Sequence, residues 1–174
     1  PPAFDLLYWN GDGTNLPAKM AIEYLRGLCQ QDGFAKGEFP VFGKPVSLEG
    51  VKVPLCAIAC ETDHIAHWKG SFNSVRQMGS DDKTFILSQS GHIAGIINPP
   101  SKGKYGHYTN DSPMAAPEDW LAGAPFHQGS WWPRWGAWLA GRSGGQVKAR
   151  IPGDSGVPVL CPAPGTYVLP KPSH

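Results

Sequence analysis

Apolar and polar positions fall in blocks along this chain, and the spacing inside each block predicts an element. Residues 1–16 (PPAFDLLYWNGDGTNL) read as an aromatic-rich segment followed by a turn, where Gly11-Asp12-Gly13 and Asn15 supply permissive backbone and short polar side chains. Pro17 suits a first helical position, and Met20, Ile22, Leu25, Leu28 and Cys29 recur at roughly helical spacing, which predicts a helix over 17–30. Gly33 and Gly37 break the pattern. The FPVFGKPVSL stretch reads as one or two short edge strands, since Pro40 and Pro45 cannot donate to a central ladder. Residues 53–59 (VPLCAIA) are continuously apolar, as expected of a strand buried on both faces in a parallel sheet. Trp68, Phe72, Val75 and Met78 then share a helix face over 67–78, and residues 84–88 (TFILS) form a second short strand. Strand, helix and strand make a βαβ unit, and chemistry in such sheets gathers at the carboxyl ends of the strands.

Both strands run into polar clusters, Glu61-Thr62-Asp63-His64 and Gln89-Ser90-Gly91-His92. Beyond Pro99-Pro100 the chain reads as irregular until Pro117-Glu118-Asp119-Trp120-Leu121 opens a short helix. Trp131, Trp135, Trp138 and Leu139 predict a last amphipathic helix over 130–141. Residues 143–174 hold five Gly and six Pro and read as an extended tail.

Composition narrows the class. Gly (22) and Pro (18) supply 40 of 174 residues, while 15 basic and 14 acidic side chains leave a net charge of +1. Such a balance, with no Lys/Arg cluster, excludes a charged disordered tail and argues against a nucleic-acid binder. No apolar run approaches the roughly 20 residues that span a bilayer. The expectation is a soluble, loop-rich globular chain in a reducing compartment. Cys29, Cys56, Cys60 and Cys161 form no C-x-x-C pair. The start at Pro1-Pro2-Ala3, with neither initiator Met nor signal peptide, reads as a cut inside a longer polypeptide.

Asp63 and His92 are the leading candidates for chemistry. Each lies one short turn past a strand end, so the two side chains can converge at one rim of the sheet. A carboxylate beside an imidazole holds one tautomer and stabilises the imidazolium formed when the ring takes a proton. Acid first and histidine second, each after a late strand, is the order of the α/β-hydrolases. The competing reading is local: Asp63 caps the following helix and His92 makes turn hydrogen bonds. No G-x-S-x-G or G-x-C-x-G elbow occurs, and none of the four cysteines is a convincing nucleophile. Gly153-Asp154-Ser155-Gly156 resembles a chymotrypsin-type serine motif, but the order of the other residues is wrong and a turn explains it better. His64-x-x-His67 lacks further ligands at a familiar spacing, so no metal is expected. His107, His127 and His174 read as solvated loop or tail residues.

Several blocks carry a stronger signal. FDLLYWN (4–10) with GDGTNLP, SGHIAGIINPP (90–100), WLAG (120–123), GSWWPRWGAWL (129–139) and PAPGTYV (162–168) closely resemble, in order, the C-terminal part of polyhydroxyalkanoate synthases. The resemblance implies an α/β fold, namely the C-terminal portion of an α/β-hydrolase with parallel strands and flanking helices. It implies a Cys-Asp-His triad in which Asp63 and His92 are the acid and the base, His64 is a site neighbour, and the cysteine elbow precedes residue 1. Residues 1–45 then correspond to the later part of a cap, 46–142 to the end of the hydrolase core and 143–174 to the tail. The implied activity is acyl transfer from a 3-hydroxyacyl-coenzyme A to a growing polyester, with no cofactor because the coenzyme A thioester is the substrate. The implied partners are the missing N-terminal part of the enzyme and a second copy paired through the cap. The implied location is cytoplasmic, at polyhydroxyalkanoate granules. An esterase or depolymerase of the same fold, or a non-catalytic binding module, are the alternatives, and this chain alone is expected to be inactive.

Overall fold

A computed structural model of the chain describes residues 4–112, 115–151, 153, 155–163, 165, 166 and 169. The chain divides into a unit spanning Pro1–Leu139 and a second spanning Ala140–His174.

The first unit is α/β with a mixed sheet. Strands β1 (Phe39–Val41) and β2 (Lys44–Val46) make an antiparallel hairpin and pair only with each other among the described residues. The four-stranded sheet is ordered β3 (Leu55–Cys60), β4 (Lys83–Ser88), β5 (His107–Thr109) and β6 (Phe126–His127). β3 and β4 run parallel in the register Leu55↔Lys83 to Cys60↔Ser88, as a βαβ unit requires. The expectation of parallel strands fails beyond this pair, because β4–β5 and β5–β6 are antiparallel. β5 and β6 are three and two residues long, so ladder pairing and not any apolar alternation creates them. β3 lies at the sheet's edge, and its first four residues are only half-buried; β4 is the strand that is covered.

Helix α3 (Trp68–Gln77) joins β3 to β4 and buries Trp68, Phe72 and Val75 at helix-face spacing. These three pack with Ala59, Phe85, Leu87 and Trp120 into one core. Trp120 comes from α4 (Pro117–Ala122), a helix that Pro117 opens at a position where no N–H is needed. Phe72, Phe85 and Trp120 meet pairwise at centroid separations of 5.0, 5.4 and 5.3 Å, two of the contacts edge-to-face. An ion pair between Lys69 and Glu118 ties α3 to α4 outside this core.

Two elements depart from expectation. The first segment forms helix α1 (Phe4–Gly11) where a turn is predicted only after it. The helix predicted over 17–30 is α2 (Ala18–Glu23) continued by a π-helical stretch, Tyr24–Gln30, with Gln31 N–H reaching back to Arg26 O at 2.9 Å. Neither part has a buried residue, and Met20, Ile22 and Leu25 are exposed. The last helix, α5, covers Trp132–Ala140. No helix among the described residues is long and apolar enough to cross a membrane. In the second unit the described residues beyond α5 run as turns and bends without a strand, with Gly153, Gly156 and Gly165 all at positive φ. Asp154 and His174 lie outside the described residues.

Candidate active site

The two parallel strands end side by side, and their register carries past the last paired residues. Glu61 N–H donates to Ser88 O at 2.8 Å and Thr62 N–H to Ser90 O at 3.1 Å. This zips the turn after β3 to the turn after β4 and sets Asp63 opposite His92. His92 Nδ1 lies 2.9 Å from Asp63 Oδ2. Asp63 is buried, at 8% exposure, whereas 44% of the His92 side chain is open to solvent.

The two sequence readings of Asp63 turn out to use different oxygens. Oδ2 takes the imidazole, and Oδ1 accepts the backbone N–H groups of Ile65 and Ala66, each at 2.9 Å. The carboxylate therefore shapes the turn that leads into α3, although the residue flanking that helix is His67, without a side-chain cap. Burial pushes the Asp63 carboxyl upward, but the His92 hydrogen bond, the Ala66 and Ile65 N–H groups and the His92 charge outweigh it and bring the pKa down to about 2. An ionised carboxylate only accepts hydrogen bonds, so the proton of the pair sits on Nδ1. In the neutral ring Nε2 is then the unprotonated nitrogen, with no hydrogen-bond partner among the described residues.

The loop that carries His92 is held by polar contacts from several elements. Ser90 adopts φ +75°, a left-handed conformation that favours glycine, to turn the chain out of β4. Gln89 N–H donates to Gly106 O at 2.9 Å and Gln89 Oε1 accepts from Gly106 N–H at 2.9 Å, which locks the strand end to the residue preceding β5. Asn98, buried, donates from Nδ2 to Tyr105 O at 3.0 Å. Gly95 has no room for a side chain: a Cβ there would stand 2.5 Å from Cys60 Sγ and 2.7 Å from Gln89 O.

Cys60 sits beneath this loop but is unsuited to attack. Burial first, and the Asp63 charge second, raise its thiol to about 11, so it stays protonated at neutral pH. Cys29 and Cys161 are exposed, on the π-helical stretch and in the second unit respectively. His64 is exposed beside Asp63 and has no hydrogen-bond partner among the described residues. No group of three or more His, Cys, Asp or Glu is gathered among the described residues in a way that could hold a metal ion.

Sequence reading missed a second histidine cluster. His107 is buried on β5, not solvated, and its ring stacks on that of His127 on β6 at 5.2 Å. His107 Nδ1 donates to Gly129 O at 3.0 Å, while His127 Nε2 lies 2.9 Å from the Thr109 hydroxyl and 3.4 Å from Arg134 Nη2. Burial lowers the His107 pKa, as do the charges of His127 and Arg134, against the opposing Gly129 hydrogen bond. Strands of two and three residues leave no periodicity from which this pairing can be read.

The poly(3-hydroxyalkanoate) polymerase subunit PhaC of Cupriavidus necator is 44% identical over 173 residues, 98% of this chain. The poly(3-hydroxyalkanoate) polymerase of Methylorubrum extorquens is 44% identical over 172 residues, also 98% of the chain. By sequence, the chain belongs to the poly(3-hydroxyalkanoate) polymerases. Poly(3-hydroxyalkanoate) polymerase 2 of Ectopseudomonas oleovorans is a further relative, 39% identical over 170 residues. The chain spans 29%, 28% and 30% of the length of these three polymerases. No family model matches it. Two of the blocks that carry the family resemblance, SGHIAGIINPP and GSWWPRWGAWL, touch: Trp131 Nε1 donates to Gly95 O at 2.9 Å.

Proposed function

We propose that this chain supplies the acid and the base of a Cys-Asp-His acyltransferase of α/β-hydrolase fold, a polyhydroxyalkanoate synthase whose cysteine nucleophile lies in polymerase sequence preceding residue 1. The observation that carries the reading is the 2.9 Å contact between His92 Nδ1 and Asp63 Oδ2 at the ends of adjacent parallel strands, in a chain with polymerase relatives.

The chemistry follows from which atoms are available. His92 Nε2 takes the proton of the cysteine thiol, and Asp63 stabilises the resulting imidazolium through Nδ1–H. The thiolate attacks the thioester carbonyl of a 3-hydroxyacyl-coenzyme A. The C–S bond to coenzyme A breaks, the proton on His92 passes to the departing thiolate, and an acyl-cysteine remains. His92 then removes the proton of a hydroxyl at the end of a polyester chain. That oxygen attacks the acyl-cysteine, forming the new ester and returning the proton through His92 to the cysteine. The insoluble product keeps the enzyme at the granule surface in the cytoplasm. The exposed apolar side chains of α2 and the π-helical stretch support pairing of two copies through a cap that includes residues 1–45.

The test is coenzyme A release from 3-hydroxybutyryl-coenzyme A by granule-bound full-length polymerase. His92→Ala is expected to abolish release, and the 174-residue chain by itself is expected to show none. Release by the isolated chain, or by the His92→Ala polymerase at the wild-type rate, overturns the proposal.

A further inference from the structure

His92 belongs to a single helical turn. Gly95 N–H donates to Gly91 O at 3.0 Å, and Ile96 and Ile97 N–H donate to Ile93 O at 3.1 and 2.8 Å, so the residues on either side of His92 are tied to the segment 95–97. Two consecutive carbonyls of this turn are taken by two consecutive indoles. Trp131 Nε1 donates to Gly95 O at 2.9 Å, and Trp132 Nε1 donates to Ile96 O at 3.0 Å. The hydroxyl of Ser88, the last residue of β4, donates to the same Gly95 oxygen at 2.9 Å. Trp131 is 8% exposed and its bond to Gly95 is buried. Each carbonyl also accepts from a second donor, Gly95 O from Ser88 and Ile96 O from Asn98 N–H at 3.0 Å, so each indole adds the net value of one hydrogen bond to this placement of the turn.

The geometry points to Trp131 and Trp132 as positioning residues for His92. They act through the 93–97 turn, holding the imidazole at the distance from Asp63 at which Nδ1–H meets Oδ2, and they touch no reacting atom. This inference rests on the acyl-transfer reading above and adds to it the residues that keep the base in register.

Burial of an indole does not in itself require such a bond. Trp120 is 2% exposed in the core, and its Nε1 has no hydrogen-bond partner among the described residues. It is therefore an internal control. Replacing Trp120 by Phe removes indole volume from the core without removing a hydrogen bond, whereas Trp131→Phe removes the bond to the histidine loop as well.

The experiment compares Trp131→Phe, Trp132→Phe and Trp120→Phe in the full-length polymerase, reading kcat and KM for 3-hydroxybutyryl-coenzyme A together with the thermal midpoint. For Trp131→Phe, kcat is expected to fall about tenfold, the scale of one buried hydrogen bond, with KM within about twofold. Trp132→Phe, at a half-buried site that tolerates the change more readily, is expected to move kcat in the same direction by a smaller factor. Trp120→Phe is expected to lower the thermal midpoint yet leave kcat within about twofold. If Trp131→Phe and Trp132→Phe both retain wild-type kcat, or lose no more than Trp120→Phe, the positioning role is overturned. His92→Ala separates the two levels: an inactive His92→Ala enzyme beside fully active indole variants refutes the positioning role alone, whereas an active one removes the acyl-transfer reading itself.

Discussion

Asp63 concentrates the physics of the site in one side chain. Its two oxygens divide the work, Oδ1 holding the turn before α3 and Oδ2 holding the His92 imidazole, and both partners favour the ionised form, which brings the carboxyl pKa to about 2. The sign of the consequence is fixed. A carboxyl whose folded pKa lies below its ordinary value of 3.8 contributes stability that is present above that value and is lost as the pH falls toward about 2. We expect a carbonyl-carbon NMR titration of Asp63 to give a midpoint near 2, with the turn at 63–66 loosening over the same range. A midpoint near 3.8 contradicts the arrangement. At this scale the pair was legible in the sequence, because strand ends followed by Asp63 and by His92 suffice to place them at one rim. The sharing of Asp63 between a turn and an imidazole was not, since spacing says nothing about which oxygen goes where.

Among the elements, those that bury a regular stripe are the ones the sequence pattern locates. α3 repeats apolar residues at helix-face intervals because it packs on the sheet, and β4 is an apolar run because both of its faces are covered. β5 and β6 escaped because residues 107–109 and 126–127 are too short to express a period, and their pairing depends on the loop that brings Gly106 to Gln89. The helix around 17–30 was legible from its apolar spacing, but its π-helical second half was not, and the stripe that predicted it buries nothing in this chain. That exposure supports the proposed contact between copies. Met20→Ser with Leu25→Ser in the full-length polymerase is expected to shift sedimentation at micromolar concentration from dimer toward monomer. An unchanged dimer places the interface elsewhere.

For the whole molecule, the chain covers 29% of the length of its Cupriavidus necator relative, so that polymerase contains more than the counterpart of the two units described here. β3 is the terminal strand of its sheet among the described residues, and its LCAIAC sequence carries no charge or proline of the kind that protects a sheet edge. Asp63 and His92 nevertheless already stand in hydrogen-bond contact within this chain, and the proposed chemistry depends on that pairing. Asp63→Asn in the full-length polymerase tests it most directly, since the amide keeps the size of the carboxyl but no longer fixes the tautomer of His92 or stabilises its charged form. The measurement is the rate of coenzyme A release from 3-hydroxybutyryl-coenzyme A, on enzyme whose circular dichroism matches wild type. Release is expected to slow by about three to four orders of magnitude, by analogy with serine triads; a rate equal to wild type would mean that Asp63 does not serve His92 in the reaction.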